Sequence, residues 1–338
     1  YRFNDFGTSA VTLDLAEGGT YTFDQSDSSM SPHPMLLSTT ANGHHGGGST
    51  YNTGVTYQLD GSSVNESAFV SGFSSASSRK LIITVAASAP NLNYFCHYHS
   101  GMGGAINTNS TLGSSNFDGS IQSTVKANTT AGFSIVSYEG NNVQGATVGH
   151  GLGVAPSVVI VKNRESTYNW AVWHTGLLSA AYVVNLNLSS AQGSVPGIFN
   201  STLPTSTVFT LGGGSQGDRF LSNEPNKDFI AYIFSEVAGY SSFGKYTGNG
   251  NSTGPFVYTG FRPAWVLLKG GSFAGNWNLF DEKRPGFNVT NDILYPNLNN
   301  AEYDGSPTDN QIDILSNGFK LRGSNVDTNS NTSTFIYL

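Results

Sequence analysis

The sequence has 338 residues, of which 12% are aromatic and 11% charged, and it contains 41 glycines. Disordered chains are poor in aromatic residues and rich in charge, so this composition predicts a folded all-β chain of two or three domains, with many turns and few helices. A net charge of −7 with only 15 Lys and Arg residues argues against nucleic-acid binding, and because no segment approaches the roughly 20 apolar residues that cross a bilayer, we expect no membrane insertion.

Side chains that bind soft metals are concentrated in the first third of the chain. The loop at residues 94–102 follows a strand-like run and holds the only cysteine, Cys96, together with His97, His99 and Met102. His33 follows an earlier strand-like run and supplies a distant histidine. Two imidazoles, one thiolate and a weakly bound thioether are the ligands of blue-copper sites, so the pattern favours copper.

The spacing Cys96, two residues, His99, two residues, Met102 resembles the ligand loop of the cupredoxins, in the short form of amicyanin. The resemblance covers residues 1–106 and implies a Greek-key β-sandwich that binds copper through His33, Cys96, His99 and Met102. A cupredoxin fold can also persist without its metal, and a single Cys is most often a small buried apolar side chain. A metal-free sandwich is therefore the alternative.

Two features differ from the cupredoxin pattern. The family places Asn after the first histidine, where it joins the two ligand loops by hydrogen bonds, but Pro34 stands here and has no N–H to donate. An insertion at residues 41–54 carries His44, His45 and three consecutive glycines. We expect this insertion either to cover the site or to be a mobile surface loop.

Residues 107–131 carry little apolar pattern and predict a linker or a weak pair of strands. An internal repeat follows, in which FSIVSYEGN at residues 133–141 recurs as FGKYTGN at residues 243–249. Three further landmarks recur at a constant offset of 107 residues: Pro156 with Pro263, Lys162 with Lys269, and Trp170 with Trp277. The sequence therefore predicts two β-sandwich or jelly-roll-like modules, at residues 132–238 and 239–338, each near the usual sandwich length of roughly 100 residues.

We expect the two modules to differ at their C-terminal ends and to place the same kinds of residue in their cores. The second lacks an equivalent of residues 233–236 and ends in what reads as mid-strand, which favours a segment of a longer polypeptide or an edge completed by another chain. His150 and His174 are interpreted as structural or solvent-facing. All four tryptophans are expected in the core: Trp170, Trp173, Trp265 and Trp277.

Several phrases of the repeats, among them VGHGLGVAPSVVIVKNR and GPFVYTGFRPAWVLLK, resemble an uncharacterised β-rich module of structural proteins from tailed bacteriophages of marine cyanobacteria. HGGGSTYNTGVTY and HSGMGG in the first third are similar to domains of the same virion proteins. The resemblance implies a location on the virion surface. It also implies other virion proteins, further copies of the chain and host-surface glycans as partners.

Three functional hypotheses remain at this point. The favoured one is a non-enzymatic virion surface protein, such as a tail fibre, spike or capsid decoration that contacts the host. The alternatives are a copper electron carrier and a carbohydrate-binding module that stacks sugars on loop aromatics such as Tyr168. The chain contains no phosphate loop or His-Glu-x-x-His motif, which argues against common enzyme classes, although carboxylates of a glycosidase need not be adjacent in sequence.

Overall fold

The computed structural model describes residues 1–108, 113–284, 288–304 and 310–338. The fold is all-β, as the composition predicts, with many short strands in several small sheets. None of the described helices is long and apolar enough to cross a membrane. The described contacts divide the chain into two compact units, the first made of residues 1–120 and 124–126 and the second of residues 121–123 and 127–338.

The first unit contains two four-stranded sheets, ordered β1-β8-β7-β3 and β2-β6-β4-β5. Their strands are β1 (Leu13–Asp14), β2 (Thr20–Asp24), β3 (Met35–Ser38), β4 (Val55–Leu59), β5 (Ser62–Val64), β6 (Arg79–Thr84), β7 (Leu92–Cys96) and β8 (Gly103–Asn107). Helix α1 (Glu66–Gly72) follows β5, and short 3-10 helices occupy Ser28–Met30 and Gly43–Gly46. Alternate residues of both sheets enter one buried cluster, which includes Leu36, Leu81 and Tyr94. The unit is therefore sandwich-like.

The segment predicted as a linker or a weak strand pair contains two strands that are neighbours in one sheet, β9 (Ser114–Asn116) and β10 (Ser123–Asn128). Its residues 109–112 lie outside the described part of the chain. The boundary between the two compact units falls within this segment. Residues 285–287 and 305–309 of the second predicted module are likewise outside the described residues.

The two repeats share the order of four central strands, although the sheet of the first repeat has eight strands and that of the second has four. The first contains β11 (Phe133–Glu139), β12 (Thr147–Gly149), β13 (Val158–Asn163), β14 (Ala171–His174), β15 (Tyr182–Asn185), β16 (Gly193–Ser194), α2 (Pro196–Phe199), β17 (Val208–Thr210), a 3-10 turn Arg219–Leu221 and β18 (Asp228–Phe234). The second contains β19 (Gly244–Thr247), β20 (Phe256–Tyr258), β21 (Trp265–Gly270), β22 (Trp277–Asp281), β23 (Asp292–Ile293), β24 (Tyr303–Asp304), β25 (Ile312–Leu315), β26 (Gly318–Leu321), α3 (Val326–Asn329) and β27 (Thr334–Tyr337). The order β14-β13-β18-β11 in one matches β22-β21-β27-β19 in the other.

Side chains at equivalent positions make the same packing contacts in both repeats. Tyr138 stacks on Phe229 with ring centroids 5.2 Å apart, and Tyr246 stacks on Phe335 at 5.0 Å. Both tyrosine hydroxyls are buried and donate to a backbone carbonyl, of Ser222 at 2.7 Å and of Thr328 at 2.6 Å respectively. Because a buried hydroxyl without a partner is costly, the aromatic pair and its carbonyl partner are fixed together.

A glycine and an asparagine complete this shared arrangement. A Cβ atom at Gly140 would lie 2.2 Å from the carbonyl oxygen of Glu224, and at Gly248 it would lie 2.2 Å from that of Ser330. The backbones approach so closely that only glycine fits. Beside each glycine a fully buried Asn side chain satisfies loop backbone groups: Asn223 accepts from the N–H of Asn141, and Asn329 from that of Asn249.

The two repeats share a core within the second compact unit. Strands of both contribute to one buried cluster, made of Val158, Val172, Leu177, Val184, Leu267, Trp277 and Ile336. The indole N–H of Trp277 donates to the carbonyl of Asn185, and the buried ammonium of Lys269 donates to three carbonyl oxygens, including that of Ser189. The predicted boundary between the modules therefore lies inside one packed unit.

The core positions predicted for the tryptophans are partly wrong. Trp173 and Trp277 are buried and Trp170 is half-buried, but Trp265 is 47% exposed. Trp265 begins β21, opposite Asp281, so its ring lies at the end of a strand rather than within the sheet. The two histidines His150 and His174 are both fully buried, which selects the structural interpretation over the solvent-facing one.

His174 is held in one neutral form at the contact between the repeats. Its Nδ1 accepts from the N–H of Gly176 at 2.8 Å, so Nε2 carries the proton and donates to the carbonyl of Tyr337 at 3.0 Å. A second proton would have to displace the Gly176 bond. Burial lowers the pKa of His174 from 6.5 to about 4 because the charged imidazolium loses its hydration.

This lowered pKa predicts acid sensitivity of the second unit. Between pH 6.5 and about 4 the unfolded chain binds a proton at His174 that the folded chain does not, so stability falls as pH falls through this window. The total loss is about 3 kcal/mol. Chemical denaturation at a series of pH values, compared between the wild type and His174→Gln, isolates this contribution because other groups titrate equally in both. Equal slopes for the two proteins between pH 4 and 6.5 would contradict the assignment.

Candidate metal centre

Pairing of β3 with β7 brings the predicted ligands to one end of a sheet. The register places Met35, the first residue of β3, opposite Cys96, the last residue of β7. His33 lies two residues before β3, and His99 lies in the loop between β7 and β8. The two segments therefore meet where both strands end, although 63 residues separate His33 from Cys96.

Three of the four predicted ligand side chains converge. The Sγ of Cys96 lies 3.4 Å from Nδ1 of His99 and 3.8 Å from Nδ1 of His33, and the two Nδ1 atoms are 3.0 Å apart. Ligands bound to one ion at about 2.0 to 2.3 Å are themselves roughly 3 to 4 Å apart. The observed spacings therefore fit a single transition-metal ion. Among the described residues this is the one group of three or more His, Cys, Asp or Glu side chains whose ligand atoms all lie within 4.8 Å.

The three ligand side chains differ in exposure. Cys96 is fully buried, His33 is half-buried and His99 is exposed. Met102 is half-buried at the end of the same loop, where its carbonyl oxygen accepts from the N–H of Cys96 at 2.9 Å. This bond closes the loop from Cys96 to Met102. The arrangement presents one imidazole to solvent and keeps the thiol away from it.

The surroundings of the site favour neutral imidazole. Burial, followed by the proximity of His99, lowers the pKa of His33, and the neutral form is the one that binds metals. Tyr1 lies against the thiol: burial, and then the charge of Cys96, raise the pKa of its hydroxyl. That hydroxyl donates to the carbonyl of His33 at 3.0 Å, so the Tyr1 side chain helps to hold the first ligand segment.

Asn42, which the sequence did not single out, joins the insertion to the ligand loop. Its amide donates to Oγ of Ser100 at 2.9 Å, and its side-chain oxygen accepts from the N–H of Gly101 at 2.8 Å. Pro34 has no N–H to offer, but its carbonyl accepts from the N–H of His97 at 2.9 Å. These bonds tie the insertion and the segment after His33 to the loop between β7 and β8. The available signal was the Asn-Gly pair at residues 42–43, which predicts a turn but not its partners.

The insertion packs directly against strand β7. A Cβ atom at Gly43 would lie 2.4 Å from the ring of Phe95, so glycine is needed for this close approach. Nε2 of His45 lies 3.3 Å from the carbonyl oxygen of Cys96. For residues 41–54 these contacts favour a packed segment over a mobile surface loop, and the segment packs against β7 and the ligand loop.

Comparison with protein families places the second unit in a known group. Residues 107–338, more than half of the chain, match the family model of a domain of unknown function, DUF7483. The chain belongs to the DUF7483 family. The match includes both repeats, and the sandwich that carries His33 and Cys96 precedes it. No curated protein and no solved structure matches the chain.

The contacts of Asn42 in this DUF7483 protein predict a local change in hydrogen exchange. Asn42 has a left-handed backbone conformation with φ of 62°, which glycine adopts without strain, so Asn42→Gly removes the two side-chain bonds alone. Exchange of the Gly101 amide is expected to accelerate roughly five- to tenfold, since one hydrogen bond contributes about 1 kcal/mol. Ser100→Ala, which removes the other bond, is the matched control and leaves the Gly101 amide protected. Unchanged Gly101 exchange in Asn42→Gly would contradict the clamp.

Proposed function

We propose that the N-terminal sandwich binds one copper ion in a blue-copper-type site, with His33, Cys96 and His99 as strong ligands and Met102 as a weak fourth ligand. The observation that carries this proposal is the convergence of the Cys96 Sγ with two imidazole nitrogens at 3.4 and 3.8 Å. Two His and one Cys in a trigonal arrangement with a long thioether are diagnostic of such sites.

The chemistry of the donors distinguishes copper from other metals. Thiolate and thioether select soft ions, and copper stands highest in the affinity order of divalent first-row metals. Structural zinc sites are almost always closed by four strong ligands, whereas the described residues supply three. The His-Cys-His group therefore supports copper better than structural zinc.

The residues of the chain have separate roles in this proposal. Cys96 provides a buried thiolate, and Asn42 and Tyr1 hold the two ligand segments in place. Copper would supply a one-electron couple between its two oxidation states. Because His99 is exposed and the thiol is buried, the imidazole edge is the side at which an electron-transfer partner would meet the site. This exposure favours electron transfer as the second candidate function.

We further propose that the whole chain is a non-enzymatic structural protein of a virion surface, such as a fibre, spike or decoration. The phage-like phrases of the repeats support this role, and two repeats that share one core would suit it. Large exposed side chains on the second unit, including Tyr240, Tyr258 and Trp265, are candidate contacts for other virion proteins or further copies of the chain. Tyr168, which is 37% exposed and stacks on Phe220, is the candidate contact for a host glycan.

The copper proposal predicts a spectroscopic signature that depends on one atom. Cu(II) added to the purified chain is expected to produce the intense visible absorption of a copper–thiolate bond, and Cys96→Ser is expected to abolish it while the repeats remain folded. Met102→Leu should keep the absorption and shift the reduction potential, because the axial ligand tunes it. Tyr98→Phe, an exposed change in the same loop, is the control. Copper binding with an unchanged spectrum in Cys96→Ser would overturn the assignment.

The virion proposal predicts where the protein is found. Antibodies raised against the chain should label the outside of intact particles of the phage that encodes it, and the chain should be present in purified particles at a fixed ratio to the major capsid protein. Its absence from purified particles would contradict this role.

A further inference from the structure

Three imidazoles outside the His-Cys-His group meet on the opposite side of strand β7. The ring of His44 lies 4.1 Å from that of His45 and 5.0 Å from that of His97, measured between centroids. His44 and His45 are exposed and His97 is half-buried. Of the seven histidines in the sequence, these three form the only such group besides His33 and His99 in the described part of the chain.

The alternation of side chains along an extended strand explains this separation. Successive residues point to opposite faces, so Cys96 faces His33 and His99, while Phe95 and His97 face the insertion. The ring of His44 accordingly lies edge-on to both Phe95, at 5.4 Å, and His97, at 5.0 Å. One short piece of backbone therefore separates two groups of imidazoles.

The insertion holds its two histidines on a defined turn. They lie on the 3-10 helix Gly43–Gly46, between Asn42 and Gly47, which both have left-handed backbones with φ of 62° and 82°. The Asn42 bonds and the close approach of Gly43 to Phe95 fix this turn against the ligand loop. The backbone positions of His44 and His45 are thus set by packing, and both side chains are exposed.

Two of the three side chains are prepared for a ligand. A carbonyl can only accept, so Nε2 of His45 donates to the Cys96 carbonyl at 3.3 Å, and Nδ1 is left with its lone pair. A backbone carbonyl behind the ring is the usual second partner of a metal-bound imidazole. In His97, Nδ1 is buried and has no hydrogen-bond partner among the described residues. An unpaired buried nitrogen costs about 1 to 3 kcal/mol and is a common sign of an ion or water that belongs there.

The spacing of the rings is close to that of a shared metal ion. Two imidazoles that bind one ion at about 2.0 Å have centroids roughly 5 Å apart, compared with 4.1 and 5.0 Å here. The nitrogen atoms do not yet converge as those of His33 and His99 do, so binding must turn the exposed rings of His44 and His45. His97 also lines a cleft of about 830 Å³, so this side of the group opens to a cavity.

We propose that His44, His45 and His97 form a second binding site, for a divalent transition-metal ion. The donors are imidazole nitrogens without a thiolate, which suit Cu(II), Ni(II) and Zn(II), and the general affinity order places Cu(II) first. This site would be separate from the His-Cys-His group and would lack its copper–thiolate absorption. It goes beyond the proposed function, and either site can exist without the other.

The test removes the first site and asks what remains. A chain without a polyhistidine tag and with His33→Gln, Cys96→Ser and His99→Gln is titrated with Cu(II) and, separately, Zn(II), using calorimetry for both ions and electron paramagnetic resonance for Cu(II). The remaining histidines outside the group, His150 and His174, are buried. We expect one ion per chain, nitrogen hyperfine structure in the Cu(II) spectrum and no intense visible absorption.

Two further sets of variants identify the ligands. Adding His44→Gln and His45→Gln to this triple variant should abolish binding, and adding His97→Gln should weaken it by more than about tenfold, since losing an outer-shell partner alone often costs that much. Thr53→Gln, an exposed change in the same insertion, is the matched control. If the triple variant binds no more metal than the variant with all five changes, the proposal is overturned.

A second measurement avoids changes near the thiol. In the otherwise native chain, His44→Gln with His45→Gln alters exposed side chains only and should lower the number of bound Cu(II) ions by one, with the copper–thiolate absorption unchanged. An unchanged number would overturn the second site. Absence of the absorption in the native chain would instead overturn the proposed function, so the two failures are distinguishable.

Discussion

The antiparallel pairing of β3 with β7 is the constraint on which the candidate metal centre depends. This register sets Met35 opposite Cys96, and it brings a histidine from one loop to a cysteine and a histidine from another. A shift of the register by one residue would reverse the face of every side chain in β3. The buried side chains of β3 and β7, among them Leu36, Leu37 and Phe95, resist such a shift because they would have to leave the core.

The same strand geometry divides the chemistry of residues 95–97 between two faces. Cys96 is directed to the thiol site, and its neighbours are directed to the insertion. The Asn42 clamp and the approach of Gly43 to Phe95 then link the insertion to the ligand loop from the other side.

The second unit depends on a different interaction. Its two repeats bury the same kinds of polar group, and each buried group has an equivalent hydrogen-bond partner in both repeats. Each repeat buries a tyrosine hydroxyl, an asparagine amide and a glycine backbone in the same relation, and each would be costly to bury without its partner. The contact between the repeats follows the same rule, since His174 and Lys269 are both buried there with hydrogen-bonded carbonyls. Apolar packing around Trp277 and Ile336 joins the two sheets, and the polar bonds determine how they fit.

The sequence by itself determined the all-β class, the duplication and two of the three converging metal-ligand candidates, because composition, repeat offset and the spacing of Cys96 and His99 can be read along the chain. It also indicated His33, through the resemblance to a known ligand set. Only the tertiary structure revealed that Asn42 clamps the ligand loop, that His44 and His45 meet His97, that Trp265 is exposed and that the repeats share one core. Each of these depends on contacts between segments far apart in sequence, or on which end of a strand is left uncovered, and neither is recorded in the local pattern of residues.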